Sequence, residues 1–125
     1  MTTAYPLAWP QGFPRTKSRN ASRFKTTVHQ AVNNVTDELR RFGNDTGKVV
    51  TNTVISSNVT LTQTHPTDPG IACYFMWDGL QCCIAIDRYP TPMENLQAVA
   101  LIIEAERAKM RHGGLNIVRA SFRGF

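Results

Sequence analysis

The sequence lacks a long apolar run and an export signal. Its uninterrupted apolar stretches, such as Ala98 to Ile103, are far shorter than the about 20 residues that span a bilayer. The N-terminus has neither the basic start nor the apolar stretch of a signal peptide. We therefore expect a cytoplasmic protein that does not associate with membranes.

Cysteine is scarce, and its spacing is wrong for metal binding. The three cysteines, Cys73, Cys82 and Cys83, form no CxxC pair. Cys82 and Cys83 are adjacent in a predicted strand, so their side chains point to opposite faces and cannot both ligate one ion. The histidines are scattered too: His29, His65 and His112. We predict reduced structural thiols, no metal site and no cofactor.

Catalytic motifs are absent as well. The chain has no P-loop and no GxGxxG sequence. A nucleophile–base pair could be drawn from Cys82 or Cys83 with His65, oriented by Asp68 or Asp87. A cysteine inside an apolar hairpin is usually inert, however, so we expect no catalytic residues and no enzyme. Asp68 is interpreted as a turn residue, and Asp87 is expected to pair with a neighbour such as Arg88.

Positive charge is concentrated in the first third of the chain. Residues 1–48 hold eight basic and three acidic side chains, whereas residues 49–125 hold six of each. This asymmetry suggests an anionic partner, most commonly nucleic acid. The stretch RTKSRNASRFK also carries Ser and Asn, which contact phosphates, although a solvated basic linker is an equal alternative. The candidate nucleic-acid-binding residues are Arg15, Lys17, Arg19, Arg23, Lys25, Arg40 and Arg41.

An aromatic–proline pair recurs every four residues near the N-terminus, at Tyr5-Pro6, Trp9-Pro10 and Phe13-Pro14. Each proline favours an extended conformation in the residue before it. We predict an extended strap over residues 1–14, whose three rings anchor on the domain or, alternatively, dock on a partner protein. Residues 15–22 indicate a mobile basic linker, and residues 23–125 a single α+β domain.

Hydrophobic periodicity predicts the first half of that domain. Apolar residues at helical spacing indicate a helix from Arg23 to Phe42, capped by Ser22 at its start and by Gly43 at its end. The Val-, Ile- and Thr-rich stretch 48–63 predicts two strands broken at SSN. THPTDPG then predicts a loop.

The clearest local signal is the stretch IACYFMWDGLQCCIAIDRY. Asp78-Gly79 is the dipeptide that a two-residue type I′ turn favours, so this stretch predicts a β-hairpin. Alternate residues of its two strands give one wholly apolar face and one mixed face. The apolar face consists of Ile71, Cys73, Phe75, Trp77, Leu80, Cys82, Ile84 and Ile86.

The sequence after the hairpin predicts a second helix. Thr91, Pro92 and Glu94 form the N-cap, first helical position and capping box of a helix that ends at Gly113. LNIVRASFRGF is a short helix or an extended tail. The order α-β-β-(β)-β-α therefore predicts a three- or four-stranded antiparallel meander with two helices on one face. It is similar to the order in double-stranded-RNA-binding domains, but Met93-Glu94 stands where those domains carry lysines.

Three segments together resemble a known group of proteins: YPLAWPQGFPRT, the DRY that closes the hairpin, and ENLQAVALIIEAERAKMRHGG. They look like the N-terminal region of small, mostly phage- and prophage-encoded uncharacterised proteins that often carry a C-terminal J domain. The resemblance spans most of the chain and implies a location inside a bacterial host cell. His65-Pro66-Thr67-Asp68 does not replace the His-Pro-Asp of a J domain, because it has an extra threonine and lies between predicted strands.

These observations predict a small non-enzymatic binding protein that acts on nucleic acid or a nucleoprotein complex through its basic N-terminal segment. The alternative is a protein-interaction adaptor or inhibitor of a host complex, such as a chaperone or a defence system. Tyr5, Trp9 and Phe13 are then the candidate partner-binding residues.

Overall fold

The computed structural model describes residues 2–22 and 27–123, and it has an α+β architecture. Its elements in chain order are α1 (Val28–Thr46), β1 (Thr51–Ser56), β2 (Ile71–Trp77), β3 (Leu80–Ile86), α2 (Pro92–Gly113) and α3 (Leu115–Arg123). The strands form one antiparallel sheet in the order β1-β2-β3. None of the helices in these two ranges is both long and apolar enough to cross a bilayer.

The β2–β3 hairpin turns at Asp78-Gly79, where both residues have positive φ angles of 53° and 72°. Trp77 pairs with Leu80 and Ile71 with Ile86, which is the predicted register. The apolar face of the hairpin packs against all three helices. Its aromatic centre joins Trp77 and Phe75 to Phe42 of α1 and Phe122 of α3, with ring centroids 5.1 to 6.0 Å apart.

The stretch 48–63 forms one strand, so the fourth strand of the larger predicted meander is not among the described residues. Residues 59–63 lie in a loop, where Thr60 and Gln63 exchange backbone hydrogen bonds within a turn. Local Val and Thr content favoured a strand, but this segment pairs with no other strand in the described structure. β1 itself is bulged between Thr51 and Val54, where Asn52 has a φ of 54°.

α1 differs from its prediction at both ends. Its N-cap is Thr27, whose side chain accepts a hydrogen bond from the Gln30 amide, and Ser22 lies outside the helix. Residues 23–26 of the predicted helix are outside the described residues. The C-cap is Gly47 with a φ of 72°, four residues beyond the predicted cap. Gly43 instead lies inside the helix, where a Cβ would be in van der Waals contact with the Lys48 carbonyl oxygen at 3.4 Å.

α1 and α2 run parallel, so both begin at the same end of the molecule. Asn34 near the start of α1 hydrogen-bonds Gln97 near the start of α2, at 2.9 Å. Further along both helices, Arg107 of α2 reaches Asp45 of α1, also at 2.9 Å. β3 ends at this same end, because the loop after it leads directly into α2. We call this the N-terminal end of the helix pair.

The N-terminal strap covers part of the sheet face that the helices leave open. Leu7 and Trp9 pack on the small residues Ala72, Cys83 and Ala85. The strap backbone is fixed by hydrogen bonds to its underlying strands: the Ala8 amide donates to the Ser56 hydroxyl at 2.7 Å, and the Tyr74 hydroxyl donates to the Ala8 carbonyl. Small side chains on the sheet thus leave room for a large ring from the strap.

Candidate nucleic-acid interface

Asp87, directly after β3, holds the start of the basic segment. Its carboxylate is almost fully buried, with 4% of the side chain exposed, and it accepts hydrogen bonds from Arg15 Nε at 2.7 Å and from Arg19 Nη2 at 3.3 Å. The Thr16 amide donates to the same carboxylate at 3.1 Å, and Arg19 Nε donates to the Asp87 carbonyl at 2.6 Å. Two arginines and one backbone amide therefore converge on one buried acid.

The electrostatics of Asp87 are set by these donors. Burial alone would raise its pKa, but the hydrogen bonds from Thr16 and Arg15 and the positive charge of Arg15 outweigh that effect, and its pKa lies below the ordinary value. Asp87 is consequently ionised at neutral pH. Arg15 also pairs with Asp68, and its guanidinium lies 4.4 Å from the centroid of the Trp9 ring.

Glu94, in the first turn of α2, holds the other end of the segment. Its carboxylate accepts the Ser22 amide at 2.6 Å and the Thr91 hydroxyl at 2.8 Å. These hydrogen bonds overcome the opposing effect of burial and lower the pKa of Glu94. Glu94 therefore does more than complete the predicted capping box. One of its carboxylate oxygens accepts the Ser22 amide of the basic segment, while the Thr91 hydroxyl accepts the Glu94 amide.

Residues 16–22 are therefore fixed at both ends by acids. We call residues 16–22 the anchored loop. Between the two anchors, Lys17, Ser18 and Asn20 are exposed to solvent. A polar groove of about 400 Å³ lies beside the loop. It is lined by Thr16, Ser18, Asn20, Ala21, Arg88 and Tyr89.

The opposite wall of this groove is held by a buried amide. Asn95 is fully buried and accepts a hydrogen bond from the Tyr89 amide at 2.8 Å, while its Nδ2 donates to the carbonyls of Tyr89 and Pro69. This network fixes the backbone of the Arg88–Tyr89 turn against α2. Arg88 and Lys17 form no ion pair within residues 2–22 and 27–123, in contrast to Arg15 and Arg19.

The helix pair adds positive potential at this site. The aligned peptide dipoles of a helix act as about half a positive charge at its first turn. Because α1 and α2 begin at the same end, their dipoles reinforce each other beside the anchored loop. Glu94 offsets part of this potential at α2, whereas the first turn of α1 has no acidic residue.

The structure separates the predicted basic residues into groups. Arg15 and Arg19 are neutralised by Asp87 and Asp68, Lys17 is exposed on the anchored loop, and Arg23 and Lys25 lie outside the described residues. Arg40 and Arg41 lie about 18 Å further along the axis of α1 than its first residue. Arg41 pairs with Glu38 at 3.2 Å. The sequence asymmetry is therefore partly cancelled in space, because acids from the second half of the chain fold onto the basic segment.

The predicted partner-binding rings are placed differently from one another. Trp9 packs on the sheet, donates its indole N–H to the Phe13 carbonyl at 3.0 Å, and contacts the Phe13 ring. Tyr5 and Phe13 keep 58% and 42% of their surface exposed. Leu7, which is not part of the aromatic repeat, packs on the same small residues of the sheet as Trp9.

The cysteines occupy the two sides of the sheet. Cys73 and Cys82 lie in the main core, and Cys83 lies under the strap. Cys82 and Cys83 thus point to opposite faces, as strand alternation predicts. Burial raises the pKa of Cys73 and Cys83 to about 12 and that of Cys82 to about 11. Their thiols are protonated at neutral pH and lack the thiolate that nucleophilic chemistry requires. Within residues 2–22 and 27–123, no three His, Cys, Asp or Glu side chains form a group that could hold a metal ion.

Several residues of the interface were missed by the sequence argument. Asp87 was expected to pair with Arg88, but it pairs with Arg15 and Arg19 and leaves Arg88 on the groove. Glu94 was interpreted only as a capping residue. The DRY motif was a signal for Asp87 and Arg88, but the partners lie more than 60 positions away in the sequence.

Comparison with protein-family models, with curated proteins and with solved structures found no match for this chain. The resemblance to phage- and prophage-encoded proteins consequently stays a prediction from the sequence.

Proposed function

We propose that this protein is a small non-enzymatic binding protein that acts on nucleic acid or a nucleoprotein complex through its basic N-terminal segment. The observation that carries the proposal is the anchored loop, which presents Lys17, Ser18 and Asn20 beside Arg88. These side chains provide two cations without an acidic partner in the described structure, together with hydroxyl and amide groups. Such groups contact phosphate oxygens.

Preorganisation supports this assignment. A mobile basic linker loses conformational entropy when it binds, whereas a loop that is already fixed at Thr16 and Ser22 loses less. Asp87 and Glu94 hold the loop from its buried side, so their negative charges do not face the solvent-exposed side of the loop. The outward side keeps its positive charge and lies in the field of two helix N-termini.

The composition of the groove favours contact with the sugar–phosphate backbone over reading of base sequence. Arg88 and Lys17 supply charge, and Ser18 and Asn20 supply short polar groups. Contacts of this kind position a nucleic acid and carry no sequence information directly. We propose a bacterial host cell as the setting, on the basis of the phage and prophage resemblance.

The test is a binding titration with fluorescent single-stranded and double-stranded DNA and RNA at low ionic strength. The double variant Lys17→Gln/Arg88→Gln should weaken binding to every probe by a similar factor, because it removes two phosphate contacts. A matched control, Arg111→Gln/Arg123→Gln, removes the same charge far from the loop and should retain most of the affinity. A third variant, Arg40→Gln/Arg41→Gln, measures whether the predicted residues on α1 contribute.

Two results would contradict the proposal. The first is that the wild-type protein binds none of the probes at low salt. The second is that the loop variant and the control lose the same affinity, which would indicate that only net charge matters.

A protein partner is the second candidate function. α2 exposes Leu101 and Ile102 on the side that faces away from the core, and apolar residues exposed together favour protein contact. On this reading the chain is an adaptor or inhibitor of a host complex. Affinity capture from host lysate, with and without nuclease, separates the two functions, since a direct protein partner is retained after nuclease treatment and a nucleic-acid-bridged one is lost.

A further inference from the structure

A second groove lies at the other end of α1, away from the anchored loop. It has a volume of about 520 Å³ and runs between the second half of α1 and the start of β1. The groove residues on which the argument rests are Leu39, Arg40, Gly43, Val49, Val50 and Thr53. The proposed contact with nucleic acid at the anchored loop does not use this groove, although Arg40 is also among the residues predicted from the sequence to bind nucleic acid.

One wall of the groove is the edge of the sheet. β1 pairs with β2 on one side only, and in residues 2–22 and 27–123 no backbone hydrogen bond reaches the outer side of Thr51–Ile55. Just beyond the end of β1 the strap contacts the chain, and the Ser57 amide donates to the Ala4 carbonyl at 2.9 Å. The strap turns at residues 4–7, so it covers only the Ser56–Ser57 end of this edge and leaves the groove end open.

The floor of the groove is apolar and narrow. Leu39 is buried at its base and Val50 is half-buried, whereas Val49 keeps 76% of its surface exposed. Gly43 brings the helix close to the backbone of residues 48–50, since a Cβ at Gly43 would touch that backbone at 3.4 Å. A helix beside an open edge strand, with apolar side chains between them, is the geometry that binds an extended peptide as an added strand.

Charge complementarity selects the chemistry of that peptide. Arg40 lines the groove, is exposed, and forms no ion pair in the described part of the chain. The nearby Lys48 is already paired with Asp78 at 3.8 Å. We propose that the groove binds an extended acidic peptide of a partner protein, which adds a strand to β1 and places a carboxylate against Arg40.

A second copy of this chain fits the edge less well. The bulge between Thr51 and Val54, with Asn52 in a left-handed conformation, interrupts the regular ladder that continuous edge-to-edge pairing requires. Bulged edges of this kind protect sheets against self-association. A short peptide needs backbone hydrogen bonds at only a few positions of the strand, and apolar and charged contacts with the groove supply the rest of the binding free energy.

The experiment is selection from a library of random peptides against the immobilised full chain, in parallel with the Arg40→Glu variant. Peptides selected by the wild type should carry an acidic residue flanked by β-branched or aromatic residues, and Arg40→Glu should replace that preference with a basic residue. For one selected peptide, replacing its acid by the amide should weaken binding about two- to fivefold, as for an exposed ion pair. Backbone amides of β1 should become protected from hydrogen exchange. Amidating the peptide C-terminus distinguishes a side-chain from a terminal carboxylate.

The proposal is overturned by any of four results: no peptide is selected, the acidic preference is absent or survives in Arg40→Glu, the protected amides lie outside β1, or sedimentation shows a dimer whose interface is this edge. An Arg111→Gln control should select the same peptides as the wild type.

Discussion

Removing the charge of Asp87 should release the basic segment. The substitution Asp87→Asn keeps the shape of the side chain but removes the negative charge that Arg15, Arg19 and the Thr16 amide share. The two arginines would then face a buried neutral group. The segment should open locally while the helices and the sheet stay folded.

The size of the effect follows from the three donors. A hydrogen bond to a charged group contributes about 1.5–3 kcal/mol when it is buried, and an exposed ion pair contributes at most about 1 kcal/mol. Arg15 and Arg19 keep 39% and 27% of their side chains exposed, so their contributions lie nearer the lower figure. The asparagine retains one acceptor oxygen. We therefore expect local opening to become easier by about 2 kcal/mol, which is about 30-fold in the population of the open segment.

Trypsin measures this opening directly, because Lys17 and Arg19 are cleavage sites inside the anchored loop. Under native conditions Asp87→Asn should be cut there about 30-fold faster than the wild type. Asp68→Asn is the matched control. Asp68 is partly exposed, and of the segment's residues it contacts Arg15, while its carboxylate also accepts the Gly70 amide, so loss of its charge should change the rate by less than about fivefold. Equal rates for wild type and Asp87→Asn would refute the account of the segment, and so would equal effects of the two substitutions.

Further predictions concern pH, the core and the thiols. Asp87 and Glu94 both have pKa values below their ordinary values in the folded protein, so their stabilisation is complete above the unfolded value of about 4 and is lost as pH falls through the lower folded values. The protection factors of the segment's amides, which correct the exchange rates for their intrinsic pH dependence, should therefore fall only below about pH 4, and a fall near pH 6 would contradict this. Phe122→Ala should cost about 3 kcal/mol of unfolding free energy in a denaturant titration, because Phe122 contacts three core rings; a loss under 1 kcal/mol would show that α3 is not part of the core. Asn95→Ala should cost about 2 kcal/mol of unfolding free energy in the same titration, since it removes the acceptor of the Tyr89 amide and the donor to the buried Pro69 carbonyl; an unchanged midpoint would contradict the network. At pH 8 the three thiols should resist alkylation until the protein is unfolded, whereas rapid labelling of the native protein would contradict their burial.

Local chemistry in the sequence was sufficient for the elements whose signals act over a few residues. Asp78-Gly79 determines its turn because both positions need positive φ, and Thr91-Pro92 determines the start of α2 through capping. The end of α1 was misplaced because two glycines compete. Gly43 lies inside the helix and close to the backbone of residues 48–50, a contact that no local pattern reveals, and Gly47 takes the left-handed position.

The candidate site was harder to predict because it is built from long-range pairs. The basic residues of the segment were identified from composition, but composition does not show that Asp87 neutralises Arg15 and Arg19 while Arg88 stays on the groove. The strap was similar in this respect. Its aromatic repeat predicted an extended segment, whereas the structure has turns at residues 4–7 and 11–12, where Gly12 has a φ of 79°. The small side chains of Ala72 and Ala85 decide that Trp9 is the ring that packs.

The most direct test of the central claim is the salt dependence of nucleic-acid binding. Each phosphate contact contributes about 0.9 to the slope of log K against log salt for duplex DNA and about 0.7 for single strands. Lys17→Gln/Arg88→Gln should lower the slope of the wild type by about 1.8 for duplex DNA and about 1.4 for single strands. Arg111→Gln/Arg123→Gln should leave it nearly unchanged. Identical slopes for the wild type and the loop variant would contradict the claim that the anchored loop binds phosphates.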